Sequence, residues 1–228
     1  MKKIVALIIS SSLLLADVYI NHKNFYIQKP IKSWVEFKND NLVRQKYDYS
    51  CGSASLSTIM SYFYDQNMSE KSILSDILEM KGIDSSRAKE LEKEDLSLSF
   101  LELSEYVKSK GFKAVGLALD LKALKSLKIP VILFVKIRKS EHFTVFKGID
   151  DRYVYLADPS LGNNKIRISK FREMFYQRDD LKHPGKLLAI LPIDRNMTWN
   201  KEFMKIRNSS NLIYSIIDTK MIQKKDNE

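Results

Sequence analysis

The stretch VRQKYDYSCGSASLSTIM, residues 43–60, decides how the rest of the chain is read. It holds the one cysteine in 228 residues, Cys51, flanked by Ser50, Gly52 and Ser53 before the run turns apolar. Ser50 stands as an N-cap, which predicts a helix from about Cys51 to Tyr64 with Ala54, Ile59, Met60 and Phe63 on its inner face. Cys51 would then sit where backbone N–H groups are unpaired and the helix dipole favours negative charge, a setting that stabilises a thiolate. Gly52 would let backbone approach closely where a substrate lies over the helix end. At this point Cys51 is a small core hydrophobe, half of a disulfide, or a nucleophile. Its small polar neighbours weigh against the core reading.

The N-terminus bears on the disulfide. Lys2 and Lys3 precede the uncharged stretch IVALIISSSLLLA, which ends at Ala16 just before Asp17. A basic head, a short apolar run and a small residue predict a signal peptide over 1–16. A spanning helix needs about 20 apolar residues. An uncleaved anchor is the alternative, and the only membrane attachment expected. The mature chain is expected to work outside the cytoplasm, in the periplasm. There a lone cysteine has no intramolecular partner, so a disulfide requires a second chain.

Composition is that of a folded protein, 44% hydrophobic and 11% aromatic, with only 7 Gly and 5 Pro. The net charge of +10 comes from 38 Lys and Arg interleaved with 28 acids, without a run of five like charges. That reads as a solvated basic surface, so no nucleic-acid partner is expected. No cofactor and no metal site is expected either.

Along the chain, 17–32 is a mixed N-terminal segment. SWVEFK (33–38) alternates like a strand, NDN (39–41) is a turn, and LVRQ (42–45) can return as a second strand. A second helix fits 69–80, and SFLE (99–102) is a capping box opening a third through Lys110, with Gly111 at C′. Asp120 caps a short helix that Pro130 ends. The period then changes: 131–137, 142–149 and 152–158 read as an antiparallel meander. KIRI (165–168) is a further strand, Ser169 starts a short helix to about Tyr176, and 186–193 is a last buried strand. Residues 194–228 read as a C-terminal extension. Helices first and sheet second predict an α+β domain over 33–193, a helical half packed on an antiparallel sheet.

A cysteine nucleophile needs a base held within about 3 Å of the sulfur. The chain offers three histidines: His22 in an irregular stretch, His183 in a loop, and His142 at the start of a strand. A strand start holds a ring more rigidly than a loop, which selects His142. The next strand ends at Asp158, and a hairpin would bring that carboxylate to the imidazole, where it could hold the tautomer. Alone, His142 also reads as a structural histidine and Asp158 as a turn residue before Pro159. Gln45, just upstream of Cys51, can supply an amide donor to a developing oxyanion, though alone it reads as a surface glutamine.

Together, Gln45, Cys51–Gly52, His142 and Asp158–Pro159 resemble the bacteriocin-processing papain-like cysteine peptidases, family thirty-nine of the cysteine peptidases, which cut double-glycine leaders. The resemblance spans about 33–193 and implies a papain-like fold. It assigns the oxyanion donor to Gln45, the nucleophile to Cys51, the base to His142 and its orienter to Asp158. SWVEF…VRQKYDYSCGSASLSTIM, KIPVILFVKI and HFTVFKGIDDRYVYLADPSLG are most similar to stand-alone exported members of functional-amyloid secretion systems. The implied partner is a protein or peptide, an amyloid subunit or a secretion component. Exporter-fused members carry aspartate directly before the cysteine, whereas here Ser50 does so and Asp48 lies two positions further back. The chain has no nucleotide-binding motif, so no ATP is expected. The leading expectation is an exported thiol endopeptidase. A non-catalytic binding module or secretion chaperone is the alternative, and transglutaminase-like acyl transfer is a third reading, which the Gln45 spacing disfavours.

Overall fold

The first described element is a hairpin, in which β1 (Asp17–His22) pairs antiparallel with β2 (Phe25–Pro30), Ile20 opposite Ile27. The computed structural model describes residues 17–22, 25–30, 33–83 and 96–206, so the expected signal peptide and the end of the extension lie outside the described residues. The chain divides into two compact units, Met1–Lys38 and Asn39–Glu228.

The stretch 33–38 is not a strand but the start of α1 (Trp34–Asn39). Ser33 Oγ accepts the Glu36 N–H at 3.2 Å, and the Glu36 carboxylate accepts the Ser33 N–H at 2.6 Å. That reciprocal capping box outweighs a six-residue period-two pattern. LVRQ forms no strand either. The Val43 N–H goes to the Thr58 hydroxyl at 3.0 Å and the Gln45 N–H to the Pro159 carbonyl at 3.1 Å, so neither is left for a ladder.

In the second unit, α2 (Cys51–Tyr62), α3 (Glu70–Met80) and α4 (Phe100–Ser109) precede every strand of a six-stranded antiparallel sheet. Its strands are β3 (Phe112–Leu119), β4 (Val131–Ile137), β5 (Ser140–Ile149), β6 (Tyr153–Asp158), β7 (Gly162–Arg167) and β8 (Gly185–Pro192), in the order β3-β8-β4-β5-β6-β7. The expected meander is β4 to β6, and the further strand expected at 165–168 is β7, which starts earlier, at Gly162. Not expected was β3: FKAVGLAL has a weak alternation, and its whole length is held by pairing with β8, from Phe112 opposite Pro192 to Leu119 opposite Gly185. That partner lies about seventy residues away and is invisible to a local pattern.

Insertion of β8 between β3 and β4 explains its continuous apolar run, since a central strand is covered on both faces. Leu188 and Ile190 join a core with α2, α3 and α4; Leu187 and Ala189 join another on the opposite face, with α5 (Leu121–Ser126) and α6 (Ile168–Phe175). Helices therefore cover both faces of the sheet.

On the second face, β8 begins with Gly185 packed on the Phe175 ring. A Cβ at 185 would stand 2.1 Å from Phe175 Cε1. Gly185→Ala is expected to cost about 2–3 kcal/mol by overpacking, lowering the thermal midpoint by roughly 5–10 °C for a chain this size. An unchanged melting curve would contradict this packing.

Central helix α2 is buried from Gly52 through Met60, although half of that stretch is Ser, Thr or Gly. Three of its four buried hydroxyls are spent on carbonyls: Ser53 donates to Ser50 O at 3.0 Å, Thr58 to Ala54 O at 2.9 Å and Ser57 to Met68 O at 2.5 Å, while Ser55 Oγ is buried without a partner. Small side chains satisfied in this way bring the helix axis close to the sheet. Beyond β8 the chain returns to α2. Asn200 donates its N–H to Phe63 O at 2.8 Å and its side-chain amide to Tyr62 O at 3.1 Å, closing the end of α2. Phe203, in a 3-10 turn (Lys201–Met204), is buried against Phe63.

Candidate active site

Cys51 is the first residue of α2, half-buried and with a free thiol. Ser50 occupies the N-cap position, but its side chain makes no capping bond. Its hydroxyl turns instead to the buried Glu70 carboxylate, with Oγ 2.5 Å from Oε1 and 2.8 Å from Tyr47 O. Glu70 Oε1 also accepts the Lys46 N–H at 2.8 Å, pinning the segment that leads into α2. The expected cap is therefore corrected. An acid one helix away captures the hydroxyl, leaving the first turn of α2 without a side-chain cap.

Gly52 also reads differently in three dimensions. A Cβ there would lie 3.2 Å from the Phe143 ring and 3.4 Å from Leu98. The close approach that it permits is to the protein's own core.

His142 is the third residue of β5, paired with Val135 of β4, and Asp158 is the last of β6. The β5–β6 register sets Val145 opposite Ala157, which places Asp158 diagonally beside His142. Nε2 of His142 lies 3.0 Å from Asp158 Oδ2, the side chains being 12% and 2% exposed. With Nε2 engaged, Nδ1 is the ring nitrogen left for the thiol. Burial opposes charging of the ring, but the hydrogen bond to Asp158 and the interaction with Cys51 outweigh it, and the His142 pKa is raised to about 9. Burial likewise pushes the Asp158 carboxyl up. The imidazole and the Leu161 N–H overcome it and hold the group below its usual range. Oδ1 of Asp158 accepts the Ser160 N–H at 2.9 Å and the Leu161 N–H at 2.8 Å, so both oxygens are fixed.

Gln45 is half-buried and lines the same cleft, about 690 Å³ in volume, as Cys51 and His142. Its Nε2 donates to Tyr47 O at 3.0 Å, and its Oε1 accepts from the Ser160 hydroxyl at 2.6 Å. Leu98, Phe134 and Phe143 form an apolar wall, with Asp48, Arg138 and Glu141 around it. Of the four residues selected from the sequence, three face one cleft and the fourth lies buried behind the imidazole. The other histidines are elsewhere: His183 pairs at the surface with Asp180 at 3.0 Å, and His22 ends β1 in the first unit. Sequence reading missed Ser160 and Glu70. The Asp-Pro-Ser turn signal marked the first; nothing local marked the burial of the second.

The arrangement can deprotonate a thiol, carry its proton on a buried imidazole and present amide donors beside the sulfur. A model of the peptidase C39 family matches residues 39–178. A protein of Pseudomonas aeruginosa named "Probable functional amyloid protease FapD" is 32% identical over 145 residues, covering 64% of this chain and 61% of that protein. Its namesake in Pseudomonas fluorescens is 33% identical over 145 residues, with the same coverage of 64% and 61%. The chain thus spans about three fifths of the length of these relatives. The crystal structure of a double glycine motif protease from an AMS/PCAT transporter, in complex with the leader peptide, superposes with a TM-score of 0.50 at 24% identity, over 66% of this chain and 90% of that one. The fold is the α+β, papain-like one.

Proposed function

The chain belongs to the peptidase C39 family, and from that premise we propose that it is an exported cysteine endopeptidase that processes a protein or peptide partner. The observation that carries the reading is the buried His142–Asp158 pair, at 3.0 Å, with Cys51 on the remaining side of the ring. The Cys51 thiolate attacks the scissile carbonyl, a C–S bond forms, and the carbonyl electrons move to oxygen. Gln45 Nε2 and the Cys51 N–H hold that oxyanion. As the C–N bond breaks, His142 gives its proton to the leaving amine. It then takes a proton from water, which adds to the thioester and releases the new carboxylate. Asp158 keeps the imidazole in the tautomer with Nδ1 toward sulfur.

The name shared by the Pseudomonas relatives supports a substrate in a functional-amyloid pathway, an amyloid subunit or another component of its secretion. The sequence of residues 1–16 supports action in the periplasm. Exported proteins of the host cell, incubated with the chain or with the chain blocked by iodoacetamide, test this by mass spectrometry of protein ends. New N-termini are expected with the unblocked chain only. Identical termini from both would remove Cys51 from the chemistry, and none from either would leave a binding module.

A further inference from the structure

One turn, Asp158–Pro159–Ser160–Leu161, touches both halves of the proposed machinery. Through the Ser160 and Leu161 N–H groups it holds Asp158 Oδ1, and so the acid behind the imidazole. Through three further bonds it holds the segment of Gln45. The Pro159 carbonyl accepts the Gln45 N–H at 3.1 Å, the Ser160 carbonyl accepts from the Arg44 guanidinium, and the Ser160 hydroxyl donates to Gln45 Oε1 at 2.6 Å.

The last of these bonds decides something that the backbone bonds cannot. A glutamine amide has an acceptor end and a donor end of nearly equal size, and its neighbours determine which end faces where. The Tyr47 carbonyl, acceptor only, draws Nε2 and uses one of its two protons. The Ser160 hydroxyl anchors the opposite end. Between them the amide plane is set, and the second Nε2 proton is left for the cleft. We infer that Ser160 is a positioning residue that sets the orientation of the Gln45 amide for the oxyanion, an assignment that rests on the peptidase reading above. Ser160 is exposed in the free chain and lines the cleft. A bound peptide would cover it, removing the water that otherwise competes for Oε1.

Two thiol reagents separate this role from a structural one. Iodoacetamide alkylates sulfur by displacement and develops no oxyanion. A peptide aldehyde, acetyl-Gly-Gly-aldehyde, is attacked at its carbonyl: the C–S bond forms, the carbonyl electrons move to oxygen, and the tetrahedral adduct, as the alkoxide or as the hemithioacetal with a proton taken from His142, stands in for the oxyanion. Protection of Cys51 from iodoacetamide by this aldehyde therefore reads the donors together with peptide binding, and comparison with the alkylation rate removes the contribution of thiol reactivity.

Ser160→Ala is expected to need about 5–10 times more aldehyde for half protection, a fraction of the 10²–10³-fold that a lost oxyanion donor costs. Its alkylation rate and the pH profile of that rate are expected to match wild type. Ser160→Thr, which keeps the hydroxyl, is expected to restore protection. In a Gln45→Ala background, Ser160→Ala is expected to add nothing. Three results overturn the inference: wild-type protection in Ser160→Ala, an effect that persists without the Gln45 amide, or a parallel fall in alkylation, which would place the role at Asp158. Absence of aldehyde protection in wild type, with alkylation intact, overturns it too. Failure of His142-dependent alkylation in wild type would instead count against the peptidase reading.

Discussion

Cys51→Ala is expected to lower peptide cleavage by about 10⁵-fold or more while leaving the fold in place. Losing the nucleophile of a triad removes nearly all of its rate, because base and orienter have nothing left to act on. What remains is the weak effect of donors and binding. Stability should change little. Cys51 is only half-buried, and the removed sulfur opens toward the cleft. His142 keeps Asp158 as its partner at 3.0 Å, so no buried charge is orphaned. Cleavage of the mapped substrate by purified variant and wild type, alongside thermal melts of both, checks the two halves together. Cleavage surviving at more than a thousandth of the wild-type rate would remove Cys51 from the mechanism.

Asp158→Asn is expected to damage both activity and stability. The carboxylate is buried and accepts three bonds, from the ring and from two turn amides. Asparagine can keep the turn amides on Oδ1 but presents an NH₂ to the imidazole. The ring must then offer a lone pair at Nε2, which moves its proton to Nδ1 and turns the wrong nitrogen chemistry toward sulfur. The same logic in serine triads costs about 10⁴-fold, and a fall of about 10²–10⁴-fold is expected here. Loss of a bond between charged, buried partners should cost about 1.5–3 kcal/mol of stability.

The stability loss should depend on pH in a stated direction. The His142 pKa is raised from 6.5 to about 9, so its contribution is full below about pH 6.5 and is lost as pH rises through about 9. The Asp158 pKa is lowered from 3.8, so its contribution is present above that pH and is lost as pH falls through the depressed value. The gap between wild type and Asp158→Asn should therefore be widest between about pH 4 and 6.5 and should narrow by pH 9.5. Urea unfolding at pH 5.5 and 9.5 measures it. A gap that is constant across that range would mean that the pair is not charged in the folded protein.

Legibility in the sequence followed the range of the interactions. Ser99–Glu102 announced α4 because a capping box is closed within four residues, and both of its bonds are present. The meander from 131 to 158 was readable because hairpin partners are neighbours in the chain and their alternation is local. By contrast, SWVEFK was misread because six alternating residues satisfy a strand template, while the Ser33–Glu36 box that makes them a helix was passed over. For β3 the local alternation was weak; β8 holds it from across the chain.

The site divides in the same way. Residue types and their order determined which groups could do the chemistry: one thiol at a helix start, one histidine opening a core strand, one acid ending the next, and a glutamine upstream. Tertiary structure decided how those groups are aimed. A sheet register put Asp158 beside Nε2 of His142, and Glu70 of a different helix took the Ser50 hydroxyl away from its cap. Ser160, 115 residues from Gln45, took the acceptor end of its amide. Hydrogen-bond direction depends on atoms within about 3 Å, and sequence separation carries no information on that scale until the chain has folded.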